Sequence, residues 1–128
     1  MNVYISNASE KPIYEQIYTQ IKSAILRGEC KAGEALPSIR ALAKELRISV
    51  ITTKRAFDDL ERDGYVYSVQ GKGSFVAEKN KELVREEYLN NIEIKFAEIK
   101  ELAQLADISR EELFKIFSLI VEEDEYGK

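Results

Sequence analysis

The sequence predicts a mainly α-helical chain with one small β-hairpin, and three observations carry that expectation. Apolar residues recur at three- and four-residue spacing in several separate stretches, the signature of helices that each bury one face. Two short apolar runs, at 65–69 and 74–77, flank a tip containing Gly71, Lys72 and Gly73, which is the pattern of a hairpin. Residues 81–106 hold neither glycine nor proline, so a long uninterrupted helix follows. A helix, a short helix, a tight turn, a third helix and a hairpin, in that order, describe a winged helix-turn-helix over residues 1–79. A two-helix tail over 80–128 completes the chain.

Each element has its own signals. Pro12 opens the first helix, where its missing N–H costs nothing. Ile13, Ile17, Ile21 and Ile25, with Tyr14 and Tyr18, form one apolar stripe, and Gly28 is the stop. Gly33 and Pro37 punctuate a short extended piece at Ala35 and Leu36. Ser38 is the expected N-cap of a second helix that buries Ile39, Leu42, Ala43 and Leu46. After a turn at Arg47 and Ile48, Ser49 caps a third helix whose core face is Thr53, Ala56, Phe57 and Leu60. That helix is basic and hydroxyl-rich where it starts, and acidic (Asp58, Asp59, Glu61, Asp63) before it stops at Gly64. Only its leading turns are suited to approach phosphate. In the tail, Tyr88, Ile92, Phe96, Ile99, Leu102 and Ala106 line a long amphipathic helix. Ser109 and Glu112 form a capping box for a second one, with Leu113, Phe114, Phe117, Ile120 and Val121 apolar.

Composition narrows the function classes. The 128 residues suffice for one well-buried core, or a small core with a helical appendage. At 45% hydrophobic and 33% charged, the chain is expected to be globular rather than disordered. No apolar run approaches the roughly 18 residues of a membrane span, so no membrane partner is expected. The first residues lack the basic and apolar regions of a signal peptide, which points to the cytoplasm. Cys30 is the single cysteine and there is no histidine, so neither a disulfide, a catalytic residue, a metal site nor a cofactor is expected. The net charge of −4 is unevenly spread: residues 1–79 carry +2 and residues 80–128 carry −6. Within 38–56 stand Arg40, Lys44, Arg47, Lys54 and Arg55 against one acid, Glu45. Binding to a polyanion follows local potential, so an overall acidic chain can still present a basic face.

Three features have rival readings. The glycines around Lys72 could suggest a phosphate-binding loop, but such loops join a strand to a helix, and this one joins two strands. The acidic run at 122–125 lacks the spacing of a calcium loop and reads as a solvated terminus. The seven tyrosines fall mostly at packing positions rather than forming base-stacking platforms.

These residues resemble a known family. Leu36-Pro-Ser-Ile-Arg-Ala-Leu-Ala43, Thr52-Thr-Lys-Arg-Ala-Phe57, Leu60-Glu-Arg-Asp-Gly64 and Gly71-Lys-Gly-Ser-Phe-Val76 are similar to the GntR family of bacterial transcription regulators. The element Arg55-Ala-Phe57 and the short helical tail resemble its YtrA-type subfamily. The resemblance implies a sequence-specific regulator, a repressor by expectation, binding double-stranded DNA at a palindromic operator and controlling a nearby, commonly transporter, operon. By position, Arg40 and Lys54 match residues that contact bases or phosphates, and Ser49 and Thr52 match phosphate-contacting hydroxyls. Gly71 matches the wing residue that enters the minor groove. Val50 departs from the family, standing where many members carry a base-reading arginine, and offers only apolar contact, for instance to a thymine methyl.

The full expected DNA surface is Arg40, Ser49, Val50, Thr52, Lys54, Arg55, Gly71 and Lys72. The tail is expected to form a homodimer through Tyr88, Ile92, Phe96, Ile99 and Leu102 with Phe114, Phe117 and Ile120, because two helices make too thin a layer to cover both stripes. The alternative is that they fold back on the same chain. No effector ligand is assigned, the tail being too small to wrap a separate effector domain. Rival function classes are a winged helix used only for protein contact, and a small enzyme, for which no catalytic spacing is present.

Overall fold

The structure, a computed structural model, describes residues 1–122, so positions 123–125 of the acidic run lie outside the described residues. The elements are α1 (Ile13–Leu26), α2 (Ile39–Leu46), α3 (Val50–Arg62), β1 (Val66–Val69), β2 (Gly73–Val76), α4 (Lys81–Leu105) and α5 (Arg110–Glu122). They divide into two compact units, Met1–Lys79 and one that begins at Asn80.

In the first unit α1 and α2 both pack on α3. Ile17, Ile21, Ala56 and Leu60 are fully buried, joined by Leu42, Phe57, Tyr65, Val66 and Val76. Each large aliphatic side chain buried in this way contributes about 1.5–3 kcal/mol. The expected stripe of α1 is present, with Ile13, Tyr14, Tyr18 and Ile25 partly buried at its margins. Pro12 stands one place earlier than the first helical residue, as the N-cap, and its carbonyl accepts from the N–H groups of Glu15 and Gln16 at 3.1 Å. Two glutamines one turn apart hold the N-terminal segment along α1. Gln16 pairs through its amide with the backbone N–H and C=O of Ser6, and Gln20 does the same with Tyr4.

The caps are as expected: Ser38 Oγ accepts the Ala41 N–H and Ser49 Oγ the Thr52 N–H, both at 3.0 Å. Between α2 and α3, Arg47 adopts φ +59°, a conformation that costs a non-glycine residue about 1–2 kcal/mol. The turn it makes returns the Ile48 N–H to the Ala43 carbonyl (3.0 Å) and brings Ile48 against the core.

β1 and β2 are antiparallel with Val66 opposite Val76 and Val69 opposite Gly73. Gly71 has φ +79° with the Lys72 N–H bonded to the Val69 carbonyl (2.9 Å), the arrangement a type II turn requires. A Cβ at Gly71 would meet nothing within 4 Å, so the dihedral and not space demands glycine. The extended piece before Pro37 adds a third edge: Gly33 and Leu36 donate to Val76 and Ser74, and Val76 donates back to Glu34.

In the second unit Asn80 Oδ1 caps α4 by accepting from Glu82 and Leu83. Asp107 at φ +55° turns the chain, the Ile108 N–H closes on the Ala103 carbonyl (2.8 Å), and Ser109 Oγ caps α5 through Glu112. Ala103 is buried, and Phe96 meets Phe117 with ring centroids 6.3 Å apart. Val84, Ile108, Leu113 and Val121 are half-buried, and most of the remaining apolar side chains are exposed. Tyr88, Ile92, Phe96, Ile99, Leu102, Phe114, Phe117 and Ile120 are all exposed, and so are Leu83, Ile94 and Leu105 away from that stripe. The apolar surface of α4 is thus wider than the single stripe the spacing suggested. Among the described residues, no helix is long and apolar enough to cross a membrane.

Candidate nucleic-acid interface

The tight turn at Arg47 and Ile48 joins α2 to α3, and the expected residues of those two helices fall in their leading turns, apart from Arg55 farther along α3. Arg40 lies on the exposed first turn of α2, and Val50 on that of α3 at 43% exposure. Ile51 is 83% exposed, a side chain absent from the expected surface. Its helical position opposite Thr53 and Ala56 was the available signal. The core face is as expected, with Thr53 fully buried and its hydroxyl donating to the Ser49 carbonyl (3.0 Å).

The hydroxyls are partly committed. Ser49 Oγ accepts from the Thr52 backbone and donates to Thr52 Oγ1 at 2.7 Å, so the cap leaves the Thr52 hydroxyl proton as the one to offer outward. Lys54 pairs with Asp58 one turn on, at 2.8 Å, with both side chains more than half exposed. A solvated i,i+4 pair of this kind is worth only a few tenths of a kcal/mol, so the ammonium exchanges readily to another anion. Arg55 is held differently. Its guanidinium lies 3.6 Å from the centroid of the Tyr14 ring, which ties α3 to α1.

The hairpin carries Gly71 and Lys72 at an exposed tip. Its outer face stacks Tyr67 on Phe75, centroids 5.6 Å apart, with Tyr67 exposed. Tyrosine burial is therefore more mixed than expected: Tyr65 is buried, Tyr14 and Tyr18 partly so, while Tyr4, Tyr67 and Tyr88 are exposed. Behind the interface, Tyr18 donates to Asp63 at 2.5 Å. That bond holds the Asp63 carboxyl below its usual range, and burial with the same bond pushes the Tyr18 phenol up. Cys30 is buried, which raises its thiol. Among the described residues, no group of His, Cys, Asp and Glu is arranged to hold a metal ion.

Comparison with known proteins agrees with this geometry. Residues 13–76 match the profile of the bacterial regulatory proteins of the gntR family. The HTH-type transcriptional repressor YtrA of Bacillus subtilis (strain 168) is 31% identical over 126 residues, covering 98% of this chain and 97% of the relative. The solved structure of YtrA from Sulfolobus acidocaldarius, a GntR-family transcription factor, superposes with a TM-score of 0.57 at 33% identity, over 70% of this chain and 96% of that one. The DNA-binding domain of AraR in complex with operator ORX1 superposes with a TM-score of 0.52 at 34% identity, over 58% and 92%. The chain belongs to the GntR family of bacterial regulatory proteins, in its YtrA type, and is a DNA-binding regulator of transcription.

Proposed function

We propose that this regulator is a cytoplasmic, non-enzymatic repressor that binds a palindromic operator as a homodimer and controls a nearby operon. The observation that carries the DNA-reading surface is the pair of exposed leading turns, with Arg40 on α2 and Val50, Ile51 and Lys54 on α3. The N-terminal turns of a recognition helix are the part that reaches base edges. Arg40 and Lys54 supply charge-assisted contacts to bases or phosphates, Thr52 offers its hydroxyl proton to phosphate with Ser49 holding it in place, and Val50 supplies apolar contact in the major groove. Gly71 and Lys72 carry the wing to the sugar-phosphate backbone. Arg55 contributes chiefly through Tyr14.

Dimerisation rests on the largely exposed apolar faces of α4 and α5. An apolar surface of this extent on a small unit marks an interface, and a second copy supplies a matching one with two-fold symmetry. Two recognition helices would then meet half-sites at least one DNA turn apart. The repressor sign follows the B. subtilis relative's name, and a transporter operon as target follows the family resemblance alone.

Selection of bound sequences from a random duplex library tests this reading. A recovered inverted repeat supports it. Salt-sensitive binding with no enriched sequence would remove operator reading, and no binding at low salt would remove DNA recognition by this surface.

A further inference from the structure

We infer that Glu61 is a positioning residue that sets the wing against the recognition helix, an inference that rests on the DNA-reading surface proposed above. Glu61 stands in the last turns of α3, exposed, and its carboxylate reaches across to β1. One oxygen accepts the Ser68 backbone N–H and the other the Ser68 hydroxyl, both at 3.2 Å. Tyr65 accepts from the Ala77 N–H, so the ladder alternates to leave Ser68 at a position whose backbone groups face away from β2. Glu61 therefore satisfies an edge N–H that nothing in the hairpin can satisfy, and does so from the helix that carries the reading side chains. Ser68 is four residues before Lys72, and a rotation of β1 about its start would be magnified at that tip.

Charge alone gives Glu61 the opposite effect. An acid between two DNA-contacting elements repels phosphate, so its removal should tighten binding. A clamp gives the reverse sign, because the freed wing must be ordered at the moment of binding. The two readings cannot be confused.

The test measures equilibrium binding of the full chain to a selected duplex over a salt series. The proteins are the wild type, Glu61→Ala, Glu61→Gln, Lys72→Ala and the double variant Glu61→Ala/Lys72→Ala. Glu61→Ala is expected to weaken binding about fivefold, and Glu61→Gln less, since its amide oxygen still accepts one of the two bonds. In the Lys72→Ala background the Glu61→Ala loss should shrink to about twofold or less, because a wing without its contact gains little from being aimed. Tighter binding by Glu61→Ala, or a loss that persists undiminished without Lys72, overturns the inference while leaving DNA recognition intact. A general weakening of the fold would add to the Lys72→Ala loss rather than vanish within it. Wild-type protein that binds no duplex overturns the underlying reading, and this inference with it.

Discussion

The guanidinium carbon of Arg55 lies 3.6 Å from the centroid of the Tyr14 ring, so the recognition helix is fastened to the first turn of α1 by a cation over an aromatic face. Such a contact is worth about 0.5–1 kcal/mol at a partly exposed site. Arg55→Ala and Tyr14→Leu should each lower unfolding free energy by about that much beyond lost packing, and the double variant should lose less than the sum. Denaturant titration of the four proteins checks this. Strict additivity would show that the two groups do not interact.

Arg40 and Lys54 should dominate the polar part of DNA recognition. Replacing either with alanine is expected to cost about 1–3 kcal/mol of specific binding where it reads a base. Asp58→Asn should act in the other direction, because it releases Lys54 from its 2.8 Å partner and removes a repelling charge. Fluorescence anisotropy with a selected duplex reads all three, and unchanged affinity in both alanine variants would remove these residues from the interface.

Val50 and the 83% exposed Ile51 put apolar surface at the start of α3. If either packs on a thymine methyl, replacing that thymine with deoxyuridine removes the methyl and nothing else. The expected loss is about 0.8 kcal/mol per buried methyl-sized group. It should be absent in the alanine variant of the contacting residue. Equal losses in wild type and variant would exclude the contact.

Arg47 pays for the tight turn with φ +59°. Arg47→Gly should therefore stabilise the fold by roughly 0.5–1 kcal/mol, since the backbone gain of about 1–2 kcal/mol is offset by glycine's greater freedom when unfolded. DNA affinity should fall at the same time, through loss of one positive charge beside the reading helices. Thermal unfolding and binding measured on the same variant separate the two effects. A lower melting temperature would contradict the strain argument.

The Tyr18–Asp63 bond makes a defined contribution to acid stability. Because the Asp63 carboxyl is held below its usual value, chiefly by the Tyr18 hydrogen bond, its contribution is complete above about pH 4 and disappears as pH falls through the lowered value. Tyr18 is shifted upward, so its phenol keeps the donated proton throughout the neutral range. The melting temperature of the wild type should drop more steeply below about pH 4 than that of Asp63→Asn. Parallel curves would mean that the bond carries no folding energy.

How much was legible beforehand follows the range of the interactions. The helical spacing of Thr53, Ala56, Phe57 and Leu60, the caps at Ser38, Ser49 and Ser109 and the glycine tip of the hairpin all depend on neighbours within a few positions. Helical and strand periods impose those spacings before any tertiary contact exists. What only the tertiary structure decided spans longer stretches of chain. It placed Arg55 over the Tyr14 ring, and gave Glu61 to Ser68. It also set Gln16 and Gln20 against the N-terminal segment, and paired the piece before Pro37 with β2. A side chain's own type names the bonds it can make, but which group fills them depends on where another element comes to rest. The charge at the start of α3 could be read from the sequence; the exposure of Ile51 and the anchoring of that helix and of its wing could be read only from the packed fold.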